Sequence, residues 1–244
     1  MIVDAHTHIG TWSQRFKGRT SLQSVLEAMA QADIDQAVAM GTDESNNIAS
    51  VVKENRDKLY HFYFARPDLD GRNPGADLEV FEQEFERGLV AGLKIHPSLI
   101  KMRVTDRRLA PYLRFCVEHS MPTLVHCGAW LEMSHFRFPI EVAEQYESPI
   151  ILAHMGGKYR DLQFQCLDAL QGAPENVFLE TSSCFVPWIV ERAVEILGGD
   201  RVVFGSDFPF YHPAVSLKCV ELADLSSETK SMVLGRTIRR LCRQ

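Results

Sequence analysis

Short runs dominated by aliphatic, β-branched and aromatic residues recur along the chain, at Ile2–His8, Gln36–Met40, His61–Ala65, Gly92–His96, Thr123–His126, Ile150–His154, Val177–Thr181 and Val202–Ser206. Such short, nearly continuous apolar runs are the pattern of strands covered on both faces, as in a parallel sheet. Between them the period changes. Leu22, Val25, Leu26 and Met29 recur at helical spacing, as do Ile48, Val51 and Val52, then Leu78, Phe81 and Phe85, then Leu109, Tyr112, Leu113, Cys116 and Val117. Each set makes one apolar stripe on a helix. Trp188–Leu197 and Val215–Leu222 extend the series. Thr20, Asp43 and Asp106 stand where a side-chain oxygen would accept the unpaired N–H groups of a helix start. Gly18, Gly88 and the pair Gly198-Gly199 punctuate the ends.

Eight strands alternating with helices in 244 residues match the size of a (β/α)8 barrel, a TIM barrel. The rival is an open doubly wound sheet, which carries a glycine-rich phosphate turn after its first strand. Here that strand ends in His6-Thr7-His8. No linker or composition shift interrupts the chain, so a single domain over 1–244 is expected. An extra C-terminal helix, about Ser227 to Leu241, is expected to pack outside the barrel.

Composition narrows the classes. With 45% hydrophobic and 24% charged residues the chain is of ordinary globular type. A net charge of −6, from 26 Lys+Arg against 32 Asp+Glu, argues against a nucleic-acid binder. No apolar run approaches the ~20 residues of a membrane helix. The start, Met1-Ile2-Val3-Asp4-Ala5-His6, lacks the basic region of a signal peptide. Six cysteines without a C-x-x-C pair read as reduced thiols, so a cytoplasmic protein is expected.

The chemistry lies at the C-terminal ends of the runs. His6 and His8 end the first, Lys94 and His96 the fourth, His126 the fifth and His154 the sixth, and Asp207 follows the eighth. Side chains two apart on a strand share a face, and barrel strands converge at one mouth. A His-x-His pair alone is weak evidence, since short motifs recur by chance. The coincidence of His6, His8, His126, His154 and Asp207 at one end of successive strands points to a metal site, with donors that suit Zn2+, Mn2+, Fe2+ or Co2+.

Asp4-Ala5-His6-Thr7-His8, Gly92-Leu93-Lys94-Ile95-His96-Pro97, Val125-His126-Cys127-Gly128, Ala153-His154-Met155-Gly156-Gly157 and Phe204-Gly205-Ser206-Asp207-Phe208-Pro209 occur in the order of the amidohydrolase superfamily. The chain resembles its amidohydrolase-related branch, which holds both hydrolases and non-oxidative decarboxylases. The closing segment, Val233 to Leu241, is also similar, with Thr237 where Asn is usual. The resemblance implies a divalent ion held by His6, His8, His126 and Asp207, with His154 catalytic or behind the ligands. One ion is expected, Zn2+ with Mn2+ as alternative. Lys94 keeps a binuclear alternative open, because binuclear members of the superfamily carry a carboxylated strand-4 lysine.

The expected reaction is hydrolysis of an ester, lactone or amide in a small molecule, with Asp207 moving the water proton and His154 facing the oxyanion or water. Asp4 is expected to orient a ligand imidazole. Decarboxylation of a small carboxylic acid is the alternative, and a non-catalytic metal-dependent binding protein a third. Lys94, His96 and Arg66 are candidate substrate contacts, and Lys158 and Arg160 stand at the mouth as well. Trp12, Trp130, Phe208, Phe210 and Tyr211 read as packing over the mouth, with pocket lining as the alternative. The expected partner is a small-molecule substrate, with a homodimer left open and neither nucleic acid nor membrane involved.

Overall fold

A computed structural model describes residues 1–12, 18–42, 44–45, 47–67, 75–128 and 130–243. Eight parallel strands run in chain order around a barrel: β1 Val3–His8, β2 Gln36–Met40, β3 Leu59–Phe64, β4 Gly92–Ile95, β5 Thr123–Val125, β6 Ile150–Leu152, β7 Val177–Glu180 and β8 Val202–Val203. Each strand pairs with the next, the helices return outside, and all eight expected strands are present. Hydrogen bonds between β1 and the β8 end bring the ring nearly to closure: Ala5 N–H to Phe204 O at 2.8 Å, Asp207 N–H to His6 O at 2.8 Å and His8 N–H to Phe208 O at 2.9 Å.

Strand alternation splits the core in two. Val38, Met40, Phe62, Leu124, Ile151, Phe178 and Val203 form one buried cluster. Their neighbours Ala37, Ala39, Tyr63, Val125, Ile150, Leu152 and Val202 join the larger layer with the helices. Period-two patterning thus builds a filled barrel inside a helical jacket.

The helices Leu22–Gln31, Ala49–Lys53, Ala76–Glu86, Ala110–Glu118, Pro187–Leu197 and Pro213–Leu222 fall where the apolar stripes place them. Arg137–Gln145 and Arg160–Ala169 are two further helices that the pattern did not single out. The caps differ. Ser21, not Thr20, caps the first helix by accepting Ser24 N–H at 3.1 Å. Thr20 instead pairs with Gly10 in a short hairpin. Asp106 accepts Arg108 N–H at 3.0 Å within a turn, four residues before its helix begins at Ala110. Asp43 lies outside the described residues.

The C-terminal segment does not stay outside. It runs through Ser227–Ser231 and Met232–Arg236 to Thr237–Leu241. Ile238 and Leu241 are buried in the inner cluster. Thr237 Oγ1 donates to Gly199 O and Arg240 to Asp200 O, both just before β8, so this helix stoppers the end of the barrel opposite the mouth. A barrel end left open would expose that apolar cluster to water. No described helix is long and apolar enough to cross a membrane.

Candidate active site

β1 carries His6 and His8, both buried, to the mouth. Asp207 follows β8, and its Oδ1 lies 3.3 Å from His6 Nε2 and 3.3 Å from His8 Nε2. One ligand atom from each residue falls within 4.8 Å of the others, a candidate cation site. His8 Nδ1 donates to the Gly41 carbonyl at 2.9 Å, which leaves its lone pair on Nε2. Burial first, then the charge of Lys94, hold His6 well below the ordinary histidine pKa. A neutral imidazole is the form that binds a metal. Lys94 Nζ lies 3.0 Å from His6 Nε2, so a positive group already stands beside that lone pair. Two imidazoles and a carboxylate arranged in this way fit a divalent transition ion.

His126 does not fall within that group. Its Nδ1 lies 2.9 Å from His154 Nε2, and its ring stacks on His96 with centroids 3.8 Å apart and planes 13° from parallel. His154 Nδ1 lies 2.7 Å from Ser182 Oγ. Burial foremost holds His96, His126 and His154 well below the usual pKa. His154 and Asp207 both adopt left-handed backbones, with φ of 61° and 63°. For residues with a Cβ this costs on the order of 1–3 kcal/mol each, a strain concentrated at functional positions.

Glu180, at the end of β7, escaped the sequence reading. Its Oε2 lies 3.0 Å from His6 Nδ1 and accepts Ser182 O–H at 2.7 Å and His154 N–H at 3.2 Å. Burial pushes its pKa up to about 8, against those hydrogen bonds. His6, His154 and Glu180 form a second three-residue group that could hold a cation. The available signal was position: Glu180 ends its strand, as His8 ends β1 and His126 follows β5. The motif after β8 serves the same carboxylate, since a Cβ at Gly205 would come within 2.2 Å of Glu180 Oε1.

Asp4 does not orient an imidazole. Its carboxylate accepts Ser206 N–H at 2.9 Å, Ser206 O–H at 2.5 Å and His6 N–H at 3.0 Å. The β1–β2 register shifts between Asp4 and Thr7, which breaks the simple alternation that put Asp4 level with His6. Burial raises its pKa to about 7. Asp4 ties β1 to the β8 end, and Glu180 is the carboxylate beside the His6 ring.

A cavity of about 300 Å³ opens above these groups, walled by Lys94, His96, Trp12, Trp130, Lys158 and Phe210 among others. Lys94 is fully buried, and burial lowers its pKa to about 8 against the pull of Asp207 and Glu180. Arg66 and Arg160 do not line the cavity. Arg66 is exposed with its N–H on Asp77 at 2.8 Å, and Arg160 pairs with Asp161 at 3.8 Å. The aromatic residues divide: Trp12, Trp130 and Phe210 line the cavity, whereas Phe208 packs on the core and Tyr211 on Phe185. Gly128 sets the rim, because a Cβ there would meet Lys158 N at 2.9 Å.

The family model described as Amidohydrolase matches residues 3–243. Comparison with curated proteins returns no match. Among solved structures, 5-carboxyvanillate decarboxylase from Sphingomonas paucimobilis is similar with a TM-score of 0.73, 14% identity and coverage of 99% of this chain and 98% of that one. A Pseudomonas putida protein assigned as a 2-pyrone-4,6-dicarboxylic acid hydrolase gives 0.75, 15% identity and coverage of 98% and 96%. A dihydroxybenzoic acid decarboxylase from Polaromonas sp. JS666, with bound manganese and the inhibitor 2-nitroresorcinol, gives 0.73, 13% identity and coverage of 99% and 96%. At these identities the structural likeness establishes the fold.

Proposed function

The chain belongs to the amidohydrolase family, and from that premise we propose a metal-dependent hydrolase, one barrel domain over 1–244, that cleaves an ester, lactone or amide bond in a small molecule. The observation that carries this reading is the convergence of His6 Nε2, His8 Nε2 and Asp207 Oδ1 beneath an open cavity. His6, His8 and Asp207, with His126 from the adjoining wall, would hold one divalent ion, Zn2+ or alternatively Mn2+. When bound, such an ion lowers the pKa of water from 15.7 towards about 7 and polarises a carbonyl. Asp207 faces the reacting water, takes its proton and returns it to the leaving group. Lys94 presents a buried positive charge to the oxygen that gains electrons, and His154, held by Ser182, backs His126. A buried Lys94 ammonium 3.0 Å from His6 Nε2 would repel a second dication, which favours one ion over two. Six unpaired cysteines fit a reducing cytoplasm.

Decarboxylation is the second reading, favoured by Lys94 and Lys158 on the walls of one cavity. Two cations there suit a carboxylate substrate. Asp207 would then protonate the carbon that loses CO2.

The deciding experiment has two readouts on protein purified without chelators. Elemental analysis is expected to find about one Zn2+ or Mn2+ per chain. A panel of small esters, lactones, amides and aromatic acids is expected to release acid without CO2. Release of CO2 alone would establish decarboxylation. Metal-free protein that also refuses Zn2+ and Mn2+ would remove the metal centre.

A further inference from the structure

Two lines of hydrogen bonds end on Glu180. The short line is direct, since His6 Nδ1 lies 3.0 Å from Oε2. The long line starts with Ser182 O–H, which donates to Oε2 at 2.7 Å. A hydroxyl has one hydrogen to give. With that hydrogen on Glu180, Ser182 Oγ accepts from His154 Nδ1, 2.7 Å away. An imidazole protonated at Nδ1 carries its lone pair on Nε2. His154 Nε2 therefore accepts from His126 Nδ1 at 2.9 Å, and the lone pair of His126 is left on Nε2. Lys94 supports the short line independently. An ammonium only donates, and its Nζ lies 3.0 Å from His6 Nε2, so the His6 lone pair is on Nε2 as well.

We propose that Glu180 and Ser182 are positioning residues that set the tautomers of His6, His154 and His126, keeping the Nε2 lone pairs of His6 and His126 free of protons. Glu180 acts on the first ring by contact and on the third across Ser182 and His154. The arrangement gives β7 a part in the site although none of its side chains lines the cavity. It also gives His154 a defined role, because its Nε2 lone pair holds the proton of His126 Nδ1 in place. The consequence for cation binding rests on the metal-centre reading above, but the placement of the protons does not.

The test uses the full chain with nitrogen-15-labelled histidine, stripped of metal by a chelator, and long-range proton–nitrogen correlation spectra that distinguish the two tautomers. His6, His126 and His154 are expected as Nδ1–H forms in the unaltered protein. Ser182→Ala, alone and with Ser183→Ala to remove the second hydroxyl 3.4 Å from His154 Nδ1, is expected to move His126 and His154 towards the Nε2–H form and leave His6 as it was. Ser182→Thr keeps the hydroxyl and restores the pattern. Zn2+ affinity in the alanine variants falls about tenfold, the lower end of the range for residues that support metal ligands. His126 as Nε2–H in the unaltered protein overturns the relay, even if a variant fails to fold. So does His126 remaining Nδ1–H in both alanine variants. A protein that takes up no Zn2+ but shows the expected tautomers sinks the metal-centre reading and leaves the relay standing.

Discussion

On the β1 side of the cavity, His6 and His8 turn Nδ1 towards an oxygen, Glu180 Oε2 at 3.0 Å and Gly41 O at 2.9 Å, and their Nε2 atoms meet at Asp207. On the β4–β6 side, His96, His126 and His154 face one another, by a stack at 3.8 Å and a hydrogen bond at 2.9 Å, with Lys158 at the rim. The residue type is the same, with His6, His8 and His154 buried and His96 and His126 half-buried. The difference lies in what each ring touches. A carboxylate between two lone pairs makes a place for a cation, while stacked neutral rings beside lysines make a wall for an anion. His61 offers a third setting, on β3 and away from the cavity, where burial pushes its pKa down to about 4.

The largest test of this contrast is Asp207→Asn, which keeps the shape and removes the negative charge between the two Nε2 atoms. Turnover is expected to fall ~10²–10⁴-fold, the range of general acid–base catalysis, with part of the metal retained on the histidines. Near-normal turnover with metal bound would take Asp207 out of the chemistry. His154→Asn is the matched change on the opposite wall: turnover falls, and Zn2+ affinity against a competing chelator falls about tenfold, because His126 Nδ1 loses its partner.

His61 carries the contrast into stability. Between about pH 6.5 and 4 the unfolded chain holds a proton on this ring that the folded chain does not. Stability therefore falls as pH drops through that window and levels off below it, by on the order of 3 kcal/mol for a shift of this size. His61→Leu is expected to flatten that limb in denaturant titrations at stepped pH. An unchanged slope would mean that the ring is not held neutral.

Glu180→Gln probes the β1 wall from behind. It leaves the volume but replaces the carboxyl acceptor beside His6 Nδ1 with an amide, and Zn2+ affinity, measured against a competing chelator, is expected to fall ~10–100-fold. A change below twofold would make Glu180 irrelevant to the cation side. The smallest effect belongs to Lys158→Met. Lys158 is exposed, so its attraction for an anion is screened, and benzoate binding by calorimetry is expected to weaken by about 1.5-fold to fivefold. Equal binding by both proteins would show that Lys158 does not face the ligand.

Much of this was legible in the chain. Apolar runs alternating with helical stripes set the strand order, because a strand buried on both faces has few other ways to be satisfied. His6, His8, Lys94, His126, His154 and Asp207 all arrive at one end, because residues at the C-terminal ends of parallel barrel strands have one mouth to meet in. The helix starts were less legible. Thr20 and Ser21 are both good caps, and only the φ and ψ of the turn chose Ser21.

Tertiary structure decided the pairings. The sequence put Asp4 against a ligand imidazole, and the register shift in β1 gave Asp4 to Ser206 and left the His6 ring to Glu180, 174 residues away. It also set His126 against His154 rather than within the His6, His8 and Asp207 group, drew Lys158 but not Arg66 to the cavity, and turned the last helix into the stopper of the barrel. Periodicity determines which face of an element a residue occupies, because the backbone repeat is local. Which partner it meets across the barrel depends on register and distance, and those exist only once all eight strands have closed.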